Sequence, residues 1–421
     1  MHAEDTMASA DSACMLQTRS ACASRAVASI LLSRLGLLRG VSFGVLAADF
    51  GSLWRSPSCE LPDGRSSDEL AQDMAAGATF KSFLSHSWRG RGLSKWLMLQ
   101  QRLLFGRRGV LVLAAVAVVL TAIAWAATAA SVLSHCASPG PSVCGPTGDR
   151  ELSVHVKRIT HGILLTLQLT FGCFFVAFFV RGHTWRFLNP GMDSSMYFLD
   201  KCSINQKESN LKTLGIRHLG EYLLNSDSMT LLFDPSYPTR LWCIFELAVF
   251  CRFRKISDLD IVVTWGAPAG YAVTICSCLA FMLVRLPFLI GLETGSTSAL
   301  NGAVSAALVV SILAITCRAV RELRRFSVAI GEFQVAKAQC FSAADRQEIL
   351  AFISETWGSD AEDGCAAFDR FVRGDLRDKI DANMISPCAL FRSLAAPTAT
   401  IAVCNLAMSS ASLYFTVIYM R

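Results

Sequence analysis

A chain of 421 residues in which 52% are apolar and 17% charged, with a mean hydropathy of +0.42, carries less charge than a soluble protein of that length needs. Read alone, this composition excludes a wholly soluble enzyme, a disordered chain and a fibrous one. The net charge of +6, with no basic stripe interleaved with aromatics, points away from nucleic acid as a partner.

Residues 1–78 come first. No acidic residue falls between Asp11 and Asp49, while Arg19, Arg25, Arg34 and Arg39 punctuate an Ala/Ser/Leu-rich stretch. That composition suits a targeting-like peptide or an amphipathic surface helix. The segment 56–76, with Pro57, Pro62 and Gly64, reads as a linker.

Five uncharged apolar runs follow at 109–133, 162–180, 268–284, 298–317 and 393–420, each near the roughly 20 residues that cross a bilayer. Lys and Arg crowd one flank of each of the first four, among them Arg107, Arg108, Arg181, Arg186, Arg252, Arg254, Arg318 and Arg321. Such flanks are cytoplasmic by the positive-inside bias. The expected architecture is therefore α/β plus membrane α-helices, with about five transmembrane helices. Membrane hairpins would occupy 109–180 and 268–318, and a last span 388–420. A multi-pass integral membrane protein, with the lipid bilayer as its first partner, is the expected setting. A transporter or channel is the third class considered, but the spans carry no paired charges and no evident internal repeat.

Sixteen cysteines are scattered with no Cys-x-x-Cys unit, so no metal site is expected. Cys136 and Cys144 stand apart because they close a short loop between the first two runs. A disulfide between them is expected if that loop faces an oxidising compartment.

Outside the runs, 79–85, 196–199, 229–233 and 260–265 are short apolar segments that end in small or polar residues, which predicts strands. Helical spacing occupies 93–104, 211–224 and 240–253. Strand and helix in alternation predict a doubly wound α/β layer. It would be assembled from 79–104 and 182–267, since two crossings return the chain to its starting side. The stretch 319–386 reads as a small helical subdomain, with Ser342 as an N-cap.

Three motifs lie in that layer: Phe83-Leu84-Ser85-His86-Ser87-Trp88, Phe198-Leu199-Asp200, and Ser236-Tyr237-Pro238-Thr239-Arg240-Leu241-Trp242-Cys243-Ile244-Phe245-Glu246-Leu247. Together they resemble a TIR (Toll/interleukin-1 receptor) domain of the plant and protist type, split by a membrane hairpin. The first-strand Phe-Leu-Ser box is weak by itself, whereas the Trp-Cys-hydrophobic-x-Glu-Leu motif of the third helix is specific. Lys81 stands where the family has Asp, residues 200–206 replace its Arg-Asp-x-x-Pro-Gly loop, and no late Phe-Trp box is visible. Animal-type receptor signalling is therefore not implied. The resemblance implies a flavodoxin-like parallel sheet, a membrane-anchored signalling protein and TIR–TIR self-association. Because many TIR domains are NAD⁺ glycohydrolases, it also implies NAD⁺ consumed as a substrate, with no cofactor held.

By motif alignment the family's catalytic glutamate falls at Glu246. Breaking the nicotinamide–ribose bond builds positive charge on the ribose, and a carboxylate beside the anomeric carbon stabilises it. Trp242, four residues earlier, shares the helix face and would stack on the nicotinamide ring or wall the pocket from water. The remaining contacts are expected at the carboxyl ends of the strands. There Ser85, His86, Arg89 and Lys201 would bind substrate, the last three through phosphates. A glycine-rich phosphate loop is absent, so no Rossmann cofactor site is expected. The same motifs also suit a non-catalytic interaction scaffold, because a fold does not carry its activity with it.

Overall fold

A computed structural model describes residues 25–47, 51–55, 66–104, 194–264, 295–359 and 363–384, with a few isolated positions between them. The chain divides into two compact units, one gathering 1–100, 180–265 and 321–389, the other 101–179, 266–320 and 390–421. The first holds the sheet and every residue of the candidate site. Of the second, the description covers chiefly the start of one long helix.

Six strands form one mixed sheet: β1 (Arg39–Ser42), β2 (Gln72–Asp73), β3 (Ser82–His86), β4 (Met196–Phe198), β5 (Met229–Phe233) and β6 (Leu259–Val263), in the order β2-β1-β4-β3-β5-β6. The helices, in chain order, are α1 (Arg25–Arg34), α2 (Phe43–Ala47), α3 (Ser52–Arg55), α4 (Gly92–Leu104), α5 (Asp200–Ser203), α6 (Ser209–Arg217) and α7 (Leu219–Leu224). They continue with α8 (Leu241–Phe253), α9 (Gly295–Gly331), α10 (Ala343–Trp357), α11 (Gly364–Phe371) and α12 (Arg377–Met384).

Strands β4, β3, β5 and β6 run parallel, with Phe83 opposite both Phe198 and Met229, and Leu231 opposite Ile261. The chain leaves β3 toward β4 on one side and reaches β5 and β6 on the other, so a topological switch point lies between β3 and β5. Ligands of doubly wound sheets bind at the carboxyl side of such a point. All five residues of β5 and of β3 are buried, as expected of parallel strands covered on both faces.

The sheet is not wholly parallel. β1 pairs antiparallel with β4 through Val41–Tyr197 and Ser42–Met196, and β2 pairs antiparallel with β1. Part of the region read as targeting-like is therefore built into the sheet, where it covers the open edge that β4 would otherwise present. Tyr222 Oη donates to the Leu37 carbonyl at 2.9 Å and fastens this region to α7.

One aromatic core supports the layer. Phe83 stacks on Phe198 at 4.4 Å, Phe80 meets Tyr222 at 6.0 Å, and Phe233 meets Phe326 of α9 at 4.3 Å. α8 buries eight of its residues and receives α10, with Phe245 against Phe352 at 5.2 Å and Trp357 Nε1 donating to the Ala248 carbonyl at 3.2 Å. Each buried Phe or Leu contributes roughly 1.5–3 kcal/mol. Ser342 caps α10 by accepting from the Asp345 amide at 3.2 Å.

The expectation of about five transmembrane helices is overturned. Among the described residues no helix is long and apolar enough to cross a membrane, which counts against a multi-pass integral membrane protein. The run 298–317 lies in α9, while 109–133, 162–180, 268–284 and 393–420 fall almost wholly outside the described residues, as do Cys136 and Cys144. Hydropathy counts apolar residues wherever they go, so a high mean is not by itself a membrane signal. Many of them go into this core, β5 and α8 being apolar along nearly their whole length.

Candidate active site

The site is assembled where β3, β4 and β5 end. β3 delivers Ser85 and His86 and turns through Ser87-Trp88-Arg89-Gly90; β4 delivers Asp200 and Lys201; β5 delivers Asp234, Ser236 and Tyr237. α8 then crosses these ends with Cys243 and Glu246 one turn apart, which places them on neighbouring parts of one face.

Ser85 is the junction between the strand and the helix. Its Oγ lies 2.5 Å from Glu246 Oε2 and 2.7 Å from Tyr237 Oη, and the Tyr237 hydroxyl donates to the Cys243 carbonyl at 2.9 Å. The Cys243 thiol in turn donates to the His86 carbonyl at 3.4 Å. Glu246 is half-buried, and desolvation pushes its carboxyl up to about 8. Asp200 adds to that rise, while the Ser85 hydrogen bond opposes it. Burial likewise raises the Tyr237 phenol and the Cys243 thiol well above their ordinary values, so neither is an anion near neutral pH.

Beside this chain stands a charged cluster. Lys95 and Lys201 are 0% and 4% exposed, and their ammonium groups lie 5.8 and 5.4 Å from the centre of the Trp88 ring. Each charge is partly compensated: Lys95 Nζ donates to the Ser87 carbonyl and feels the Asp234 carboxylate, and Lys201 Nζ donates to the Leu53 carbonyl at 3.3 Å. Desolvation lowers the Lys95 ammonium from its ordinary value. Trp88 Nε1 donates to Asp200 Oδ2 at 2.8 Å. Desolvation raises the Asp200 carboxyl, although its side chain keeps 38% of its surface in contact with solvent.

His86, 6% exposed, is enclosed by Trp54 and Trp88, at centroid distances of 5.2 and 4.2 Å. Among the described residues neither of its ring nitrogens has a hydrogen-bond partner, and the nearest acidic atom is Asp200 Oδ1, 3.8 Å from Nε2. Desolvation, and next to it the Lys95 charge, hold its pKa well below the usual histidine range, so the ring is neutral. Asp234 Oδ2 is also buried without a hydrogen-bond partner, while Oδ1 accepts from the Ser236 amide at 2.7 Å. Ser236 Oγ bridges that carboxylate and Ser87 Oγ. A Cβ at Gly90 would overlap Asp234 Oδ2, so the turn and this carboxylate approach closely here.

Of the residues singled out in the sequence, Ser85 and Glu246 meet directly, and His86 and Lys201 lie in the adjoining cluster. Arg89 is exposed, its Nη1 donating to Gln339 Oε1 at 2.9 Å. Trp242 is half-buried and packs edge-on against Phe245 at 5.8 Å, beside the hydrophobic core. Trp54 and Lys95 are not among the residues expected here, whereas Asp234 and Tyr237 lie in the segment 234–237, one of the strand ends where ligand contacts are expected. Tyr237 also lies within the motif, and the polar run after β5 is a usable signal for Asp234. Nothing local marks Trp54 or Lys95, which come to the site only through folding. Among the described residues no group of His, Cys, Asp and Glu is arranged to hold a metal ion.

Fold and cluster together define a doubly wound α/β domain with a polar, largely buried site at the carboxyl ends of its parallel strands. No family model, curated protein or solved structure matches the chain.

Proposed function

We propose that this chain is a TIR-like signalling enzyme that hydrolyses NAD⁺ to nicotinamide and ADP-ribose. The observation that carries the reading is the placement of Glu246 beside the β3/β5 switch point, within hydrogen-bond distance of Ser85. The C1′–N bond of the nicotinamide riboside breaks, and its electron pair goes to the ring nitrogen, which leaves neutral. The ribose is left as an oxocarbenium-like cation. Glu246, ionised, faces that cation and stabilises it. Water then adds at C1′ and gives up a proton, so the products are ADP-ribose, nicotinamide and H⁺. Lys201 and Lys95 supply the positive charge that a pyrophosphate needs, and His86, neutral, offers one N–H donor.

The test is nicotinamide release by the purified full chain given NAD⁺. Release that is lost in Glu246→Ala and in Glu246→Gln supports the reading. No release from the unaltered chain, even when clustered on a support and at alkaline pH, would overturn it. That outcome leaves TIR–TIR self-association as a scaffold to be measured instead.

A further inference from the structure

Three oxygen–oxygen contacts run in series through the site: Glu246 Oε2 to Ser85 Oγ at 2.5 Å, Ser85 Oγ to Tyr237 Oη at 2.7 Å, and Tyr237 Oη to the Cys243 carbonyl at 2.9 Å. At these distances each pair needs one proton between its oxygens. The Ser85 and Tyr237 hydroxyls own one proton each, and the carbonyl owns none. Two protons cannot fill three contacts. The series is complete only if the carboxyl brings the third.

We propose that Glu246 rests as a neutral carboxylic acid whose proton is stored by this relay. Glu246 donates to Ser85, Ser85 to Tyr237, and Tyr237 to the Cys243 carbonyl. Ser85 and Tyr237 are positioning residues in this arrangement. Both are buried, so bulk water does not take either place in the series.

The groups acting on Glu246 come from each element around it. Asp200, after β4, disfavours a second negative charge nearby, and Tyr237 and the Cys243 thiol, both neutral, supply no cation. Among the described residues the Ser85 hydroxyl, from β3, is the group that favours the ionised form, and the relay directs it toward Tyr237 instead. Storage of the proton stands independently of the substrate. Its consequence for catalysis rests on the NAD⁺ reading: the proton must leave before a carboxylate can face the ribose, and a cationic nicotinamide ring beside Glu246 favours that departure.

Infrared difference spectroscopy of the full chain against Glu246→Gln isolates the Glu246 carboxyl. A protonated C=O stretch at neutral pH, absent from the variant and lost as the pH rises through about 8, is the expected result. Tyr237→Phe frees the Ser85 hydroxyl to donate to the carboxylate, so the midpoint shifts down by on the order of one pH unit. Ser85→Ala removes the acceptor of the Glu246 proton and shifts the midpoint down as well. A merely structural role would let Tyr237→Phe shift the midpoint equally with and without Ser85, whereas the relay requires the Tyr237→Phe shift to vanish in a Ser85→Ala background. An ionised Glu246 at pH 6, or a midpoint unmoved in Tyr237→Phe, overturns the proposal. If either relay variant fails to fold, the spectrum of the unaltered chain against Glu246→Gln still decides. A protonated band in a chain that releases no nicotinamide would refute the NAD⁺ reading and leave the stored proton intact.

Discussion

Trp54 lies edge-on against His86, with ring centroids 5.2 Å apart and planes at 65°, so a residue of the N-terminal region seals the end of the first parallel strand. The indole is itself held, its Nε1 donating to the Leu46 carbonyl at 3.0 Å. The neighbouring backbone comes so close that a Cβ at Gly92 would overlap the Trp54 carbonyl. Burial behind this ring is the main reason His86 is neutral.

Trp54→Ala should therefore do two things at once. Emptying a fully buried site costs about 3–5 kcal/mol, read as a lower denaturant midpoint. The His86 pKa should also climb toward the usual histidine value, followed by NMR titration of the ring. Loss of stability with an unmoved His86 would refute the sealing role.

Lys95 acts on the same ring through charge. Lys95→Met removes the second-largest cause of the depressed His86 pKa, which should rise. The replacement also strips the Ser87 carbonyl of its donor and Asp234 of its nearby cation, at a cost of about 3 kcal/mol. Urea unfolding and the same ring titration check both effects.

The Glu246 carboxyl makes stability depend on pH in a direction opposite to that of a salt-bridged acid. Its folded value of about 8 lies above the ordinary 4.5, so across that window the folded chain holds a proton that the unfolded chain has released. Its contribution is complete below the ordinary value and is lost as the pH rises through the folded one. Unfolding free energy measured at a series of pH values should fall between them, and the fall should be shallower in Glu246→Gln. A slope unchanged by that substitution would contradict the assignment.

Two glycines make a contrast in packing. Gly90→Ala drives a methyl into Asp234 and against Lys95, and should cost about 1–3 kcal/mol. At Gly374 an added Cβ meets nothing within 4 Å, so Gly374→Ala should be neutral or gain a few tenths of a kcal/mol. Thermal unfolding of the two variants side by side separates them.

Much of the parallel layer was legible because it is locally encoded. The strand read at 229–233 is β5 to the residue, and those read at 79–85, 196–199 and 260–265 differ from β3, β4 and β6 only at their ends. The helix read over 211–224 is two helices, broken at His218. β1 and β2 are not predicted from the sequence, because Arg-Gly-Val-Ser and Gln-Asp carry no period of their own. Their pairing is stabilised by the edge of β4, a partner far away in the chain.

By itself the sequence determined the alternation of strands and helices, since side-chain periodicity is a property of neighbours, and it marked Glu246 and Ser85 through their motifs. Tertiary structure alone decided that these two, 161 residues apart, come within 2.5 Å. It also decided that Lys95 and His86 are buried, that Trp54 closes over them, and that much of the apolar content forms a core. Desolvation, on which the chemistry of this site depends, is a property of the folded surroundings and has no local signature.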